Sequence, residues 1–194
     1  MGAHVFQLLY NDNALYKHCI KLNEKILKDN GVDHVVFTRP MISCGTRSFC
    51  EDTDIDRMYY LSKNPNAIYL DADCIIKKWF DFEMEPGYPY ISRDVEHYDM
   101  WAIFGNGCTG FFETLMQAYH KENDNPKQWW GHHLINNYLK EKVRPVPGGY
   151  IKHLHLGRST SIIKRRGLPV MLPDFSIHQG SAGPILTIPE MSNV

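Results

Sequence analysis

The chain has 194 residues, 43% of them hydrophobic and 22% charged. The length suits one domain and excludes a full-length (β/α)8 barrel; the composition is globular and excludes a disordered chain. Lys and Arg number 21 against 22 Asp and Glu, so there is no general basic field for nucleic acid or anionic lipid. An anionic substrate must then be held by a metal, an isolated Arg or backbone N–H groups.

Cys19, Cys44, Cys50, Cys74 and Cys108 are odd in number and irregularly spaced. They form neither a disulfide framework nor a CxxC zinc pattern, and they point to a reduced, cytosol-like compartment. The stretch from Met1 to Gln7 lacks the basic and apolar regions of a signal peptide. No apolar run approaches the roughly 18–20 residues of a membrane span. The expectation is a cytoplasmic protein with no transmembrane segment and no nucleic-acid partner.

Val5 to Tyr10 reads as a buried strand. Ala14 to Asp29 has Leu15, Cys19, Leu22 and Ile26 at helical spacing, with Asn13 as cap and Gly31 as stop. His34 to Thr38 is a second strand, so the N-terminal part is a βαβ unit with a parallel sheet. Thr53 and Asp56 form a capping-box signature before a short helix that stops at Asn64-Pro65. Ala67 to Leu70 is a third strand and Tyr88 to Ser92 a fourth. Phe104 to Phe112 is punctuated by glycine and reads as a loop or bent strand. Helical runs follow at Leu115–Lys121 and His133–Lys140, then an extended stretch from Val143 to Leu156 and a Pro-rich C-terminal segment.

The informative stretch is AIYLDADCII, Ala67 to Ile76. Asp71 and Asp73 lie two residues apart just past an apolar strand, and like charges that close repel unless a cation lies between them. The C-terminal ends of parallel strands are where α/β folds bind ligands. Hard divalent cations such as Mg2+ or Mn2+ prefer carboxylate oxygen and leave positions open for phosphate. The chemistry that fits is stabilisation of a departing diphosphate. Asp-x-Asp alone also fits a polar turn at a strand end.

Arg57-Met-Tyr-Tyr-Leu followed by Pro65-Asn-Ala-Ile-Tyr-Leu-Asp71-Ala72-Asp73-Cys74 resembles the central motif of the GT-A glycosyltransferases. It is most similar to the retaining glycogenin-like and lipopolysaccharide-galactosyltransferase-like family, and to related DXD sugar-binding-region transferases. The resemblance implies one α/β domain of Rossmann-like GT-A type with a mostly parallel central sheet. Residues 1–105 would be its nucleotide-sugar-binding half; 106–194 would be the acceptor half with a metal-binding C-terminal loop. It implies a nucleotide-sugar donor, UDP-linked, and a glycan, lipid-linked or protein hydroxyl as acceptor. Asp71 and Asp73 would hold Mn2+ or Mg2+ on the diphosphate, with Ala72 and Asp71 at the donor. Arg57, fourteen residues before Asp71, would contact the donor as well; its alternative is an ion pair with Asp54 or Asp56.

By the same resemblance, Tyr10 and Asn11 at the first strand end and Arg39 at the second lie in nucleotide-binding regions. Asp94 and Asn106 would fix sugar hydroxyls. Residues 128–136, containing His133, match the family's Asp-Gln-Asp-x-Leu-Asn segment, but Gly131-His132-His133 replaces its carboxylates. His178 resembles the family's third metal ligand. His155, on one strand face with His153 by period two, is the alternative. With no carboxylate in the Gly131–His133 segment to act as a base, the reading inclines to retention; Asp94, His132 or His133 stay open as bases for inversion. Two other classes remain: a haloacid-dehalogenase-type phosphatase, and a non-catalytic nucleotide- or carbohydrate-binding module. The phosphatase fits less well, because about seventy residues precede the motif and Ile75 stands where Thr or Val is usual.

Overall fold

Strand β1 (His4–Leu8) pairs in parallel with β2 (Asp33–Phe37) on one side and with β3 (Ala67–Leu70) on the other. The next strands are β5 (Tyr90–Asp94), β6 (His97–Phe104) and the short β7 (Arg144–Pro145). Together they make a six-stranded sheet of order β2-β1-β3-β6-β5-β7. Only β6 runs against its neighbours. A computed structural model describes residues 2–10, 13–42, 49–122, 134–154, 177–180 and 183–186, with backbone only for 49–52, 118–122 and the last two stretches.

Helix α1 (Ala14–Asp29) starts where expected. The Asn13 side chain accepts from the N–H groups of Leu15 (2.9 Å) and Tyr16 (3.4 Å), and Gly31 leaves the helix at φ +65°. Helix α2 (Phe49–Lys63) starts earlier than the capping box predicts. Thr53 is four residues inside it, and the Asp56 carboxylate accepts from the N–H groups of Met41 and Ile42. Helix α3 (Thr109–Glu122) follows a tight turn at Gly105–Cys108, so the glycine-rich stretch is a strand-to-helix corner. The helix expected at 133–140 is, where described, a π-helix (Ile135–Leu139) running into a 3-10 turn (Lys140–Lys142).

The period-two alternation of the strands sends side chains to two cores. Phe6, Leu8, Ala67, Tyr69 and Ile103 pack against Ile55, Met58 and Leu61 of α2 and Phe112 and Leu115 of α3. Val5, Ile68, Leu70, Ala102 and Phe104 pack on the other face against Leu27 of α1. The molecule is thus a three-layer α/β/α sandwich. On the α1 side, β4 (Cys74–Ile76) and β8 (Ile151–His153) form a two-stranded antiparallel sheet, with Cys74 opposite His153. A separate hairpin pairs β9 (Ile177–Gly180) with β10 (Gly183–Leu186). Among the described residues no helix is long and apolar enough to cross a membrane.

Candidate active site

The chain leaves β1 for β2 on one side and reaches β3 on the other. The crevice between the C-terminal ends of β1 and β3 is therefore the topological switch point of the sheet. Asp71 follows the last residue of β3. Its N–H donates to Trp101 O (2.8 Å), and Cys74 N–H returns to Asp71 O (3.0 Å), closing a turn that sets both carboxylates at the mouth.

The turn is braced from within the sheet. Gln7, fully buried on β1, donates its amide to Asp71 O (3.0 Å). Asn23 of α1, also fully buried, donates to Cys74 O (3.0 Å) and accepts from Ile76 N–H (2.8 Å). A side-chain amide bracketing a strand in this way satisfies backbone groups that would otherwise be buried without partners.

Asp71 receives the Tyr69 hydroxyl (2.5 Å) and lies 3.4 Å from Arg57 Nη1. Arg57 is itself buried: it pairs with Asp54, donates to Met100 O (2.7 Å) and stacks over the Tyr69 ring at 5.1 Å. Its Nε has no hydrogen-bond partner among the described residues. The ion pair with Asp54, the alternative to a donor role for Arg57, is thus formed. Asp73 meets His153, whose Nε2 is 3.2 Å from Asp73 Oδ1 and 3.9 Å from Asp71 Oδ2. Trp101 stacks on the His153 ring at 5.2 Å and 24°.

Burial raises the Asp71 pKa; the Arg57 charge opposes this and the Asp73 charge adds to it. Burial alone would lower His153, but the Asp73 hydrogen bond and the charges of Asp73, Asp71 and Asp99 outweigh it, so its pKa is raised. The pocket thus favours positive charge between two carboxylates. Asp73, Cys74 and His153 lie within 4.8 Å of one another through their possible ligand atoms. The Cys74 thiol, however, donates to Trp101 O (3.5 Å), and burial pushes its pKa well above the ordinary range. Asp71 Oδ2, 3.9 Å from His153 Nε2, adds a second carboxylate beside this group of three, and two carboxylates with one imidazole nitrogen suit a hard divalent cation.

No family model matches the chain, and no curated protein does. Solved structures do match. A glycosyltransferase involved in glycosylation of the major capsid of PBCV-1 aligns over 75% of this chain and 81% of its own, with TM-score 0.57 and 8% identity. The galactosyltransferase LgtC, in complex with donor and acceptor sugar analogues, aligns over 73% of each chain, with TM-score 0.51 and 13% identity. The catalytic domain of Drosophila β1,4-galactosyltransferase 7 aligns over 96% of this chain and 92% of its own, with TM-score 0.50 and 9% identity. The chain has the GT-A glycosyltransferase fold.

On this GT-A scaffold most of the expected residues share one end. Tyr10 and the exposed Arg39 each lie two residues past a parallel strand, β1 and β2. Ala72 is buried between the two carboxylates, against Leu9 and Ile20. Asp94 ends β5 at the exposed tip of the β5–β6 hairpin, on the same end as Asp71.

Asn106 is a correction. It follows β6, which runs antiparallel to β3, and so stands at the opposite end of the sheet. Its amide donates to Glu85 O and Tyr88 O, both at 2.8 Å, and its φ of +46° is a turn conformation. It holds a loop and is remote from any sugar bound at Asp71. Asn11, His133 and His155 lie outside the described residues; His178 falls in β9, described by backbone alone. The residue that reasoning from sequence passed over is His153. Its signal was the face shared with His155; what brings it to the site is the pairing of β8 with β4.

Proposed function

We propose that this chain is a metal-dependent glycosyltransferase that moves a sugar from a nucleotide-sugar, UDP-linked, to a hydroxyl acceptor. The observation that carries the reading is the convergence of Asp71, Asp73 and His153 Nε2 beside Arg57 at the switch point of a GT-A sheet. Asp71, Asp73 and His153 would hold Mn2+ or Mg2+, which neutralises charge growing on a departing diphosphate when bound. His178 and His155 remain the alternatives for the third ligand. Arg57 carries a permanent charge held in place by Asp54 and Met100 O. It opposes the rise that burial imposes on the Asp71 pKa and adds a cationic edge to the donor pocket. Tyr69 fixes the Asp71 rotamer from inside the sheet. Exposed Asp94 is available to a sugar hydroxyl or an acceptor at the hairpin tip.

Retention fits the absence of a carboxylate in the Gly131–His133 segment, since the leaving phosphate can then serve as the base. The test is hydrolysis or transfer from a panel of nucleotide-sugars with Mn2+, against an Asp73→Ala control. Metal-dependent turnover of one donor, lost in Asp73→Ala, is expected, and the anomeric configuration of the product by NMR reads the stereochemistry. Turnover of none would sink the transferase. Phosphate release from a phosphomonoester, lost in Asp71→Asn, would favour the phosphatase instead.

A further inference from the structure

Helix α2 carries two buried charged residues in succession, and they act at opposite ends of the crevice. Arg57 reaches Asp71. Asp56 is fully buried and accepts three hydrogen bonds: from the Tyr10 hydroxyl (2.5 Å) and Met41 N–H (2.9 Å) at Oδ2, and from Ile42 N–H (3.0 Å) at Oδ1. A carboxylate stripped of water is costly unless donors replace the water, and here three do. Tyr10 lies just past β1; Met41 and Ile42 lie past β2. One carboxylate therefore ties together the two strand ends that face Asp71 across the switch point.

The direction a ligand takes follows from the sheet. On the far side of β3, Leu70 pairs with Ala102, and the β5–β6 hairpin continues beyond that level to Val95. A diphosphate at Asp71 and Asp73 thus has a wall on the β6 side and the β1 and β2 ends on the other. We propose that Asp56 is a positioning residue for the nucleoside end of a nucleoside diphosphate. It sets the Tyr10 ring and the Met41–Ile42 backbone as one wall, without touching the ligand itself. This rests on the reading of Asp71 and Asp73 as a metal–diphosphate site.

The test is calorimetric titration of the full chain with Mn2+ present. Pyrophosphate is compared with the tightest binder among UDP, GDP and ADP, for the wild type, Asp56→Asn and Tyr10→Phe. Loss of an acceptor from a buried, charge-assisted set is expected to weaken the nucleoside diphosphate about tenfold in Asp56→Asn. Tyr10→Phe, which removes one oxygen and spares the backbone bonds, should shift it in the same direction by about threefold. Pyrophosphate should stay within about twofold in both. Equal weakening of both ligands, or of neither, would overturn the role of Asp56, as would a wild type that binds pyrophosphate as tightly as any nucleoside diphosphate. A wild type that binds no diphosphate at all would remove the metal–diphosphate reading, and this inference with it.

Discussion

Asp71 and Asp73 are two residues apart, yet they keep different company. Asp71 is held by Tyr69 and Arg57 from the α2 side of the sheet; Asp73 is held by His153 from β8. If His153 is the third ligand, His153→Ala should weaken Mn2+ binding by about 10- to 100-fold while His178→Ala leaves it near wild type; a calorimetric Mn2+ titration decides, and the reverse ranking would restore His178. Arg57→Ala strips a buried cation from between Asp54 and Asp71. It should cost about 3 kcal/mol in urea unfolding and abolish donor turnover. The Asp pair was marked in sequence by a local signal, an apolar strand followed by two carboxylates, while Arg57 was singled out by the family resemblance. His153 was not, because it lies eighty residues from Asp73 and only strand pairing joins them.

The helices and strands carry the site through buried side-chain amides and close backbone contact. Asn23→Leu would leave Cys74 O and Ile76 N–H without their partner. Two buried backbone groups losing a bond should cost about 3 kcal/mol by chemical denaturation, and the loosened turn should bind Mn2+ less well. Gly105 is needed for space: a Cβ there would meet Pro65 O at 2.8 Å and Ala67 O at 3.1 Å. Both are backbone atoms, so Gly105→Ala should lower the unfolding midpoint, by about 2 kcal/mol in stability. Helix α1 was legible to the residue, since Asn13 and Gly31 are local punctuation. Helix α2 was not: its Asp56 carboxylate serves the loop after β2, and a three-residue spacing cannot tell a cap from a tertiary tether. Strand β6 was missed outright, although its burial alternates from Tyr98 to Ala102.

At the scale of the molecule, the parallel βαβ start and the α/β class followed from strand and helix periodicity. The one reversed strand and the small β4–β8 sheet did not, because pairing partners leave no mark in a single sequence. The layered packing also makes a prediction in alkali. Cys19 of α1 is fully buried, and burial pushes its pKa from 9.0 up to about 12. The unfolded chain therefore loses this proton first, and the stability it supplies is whole below pH 9.0 and lost as pH rises toward about 12. Over that window wild-type stability should fall more steeply than that of Cys19→Ala, by up to about 1.4 kcal/mol per pH unit in urea midpoints.

The β4–β8 pair also bears on synthesis. The chain emerges from the ribosome N-terminus first. Asp71 and Asp73 are made long before His153, which reaches them only once Ile151–His153 has paired with Cys74–Ile76. For that interval the two acidic groups lack the imidazole that later stands between them. A nascent chain ending near residue 140 would carry the whole sequence motif and still lack this three-residue constellation, so the motif and the site are born at different times.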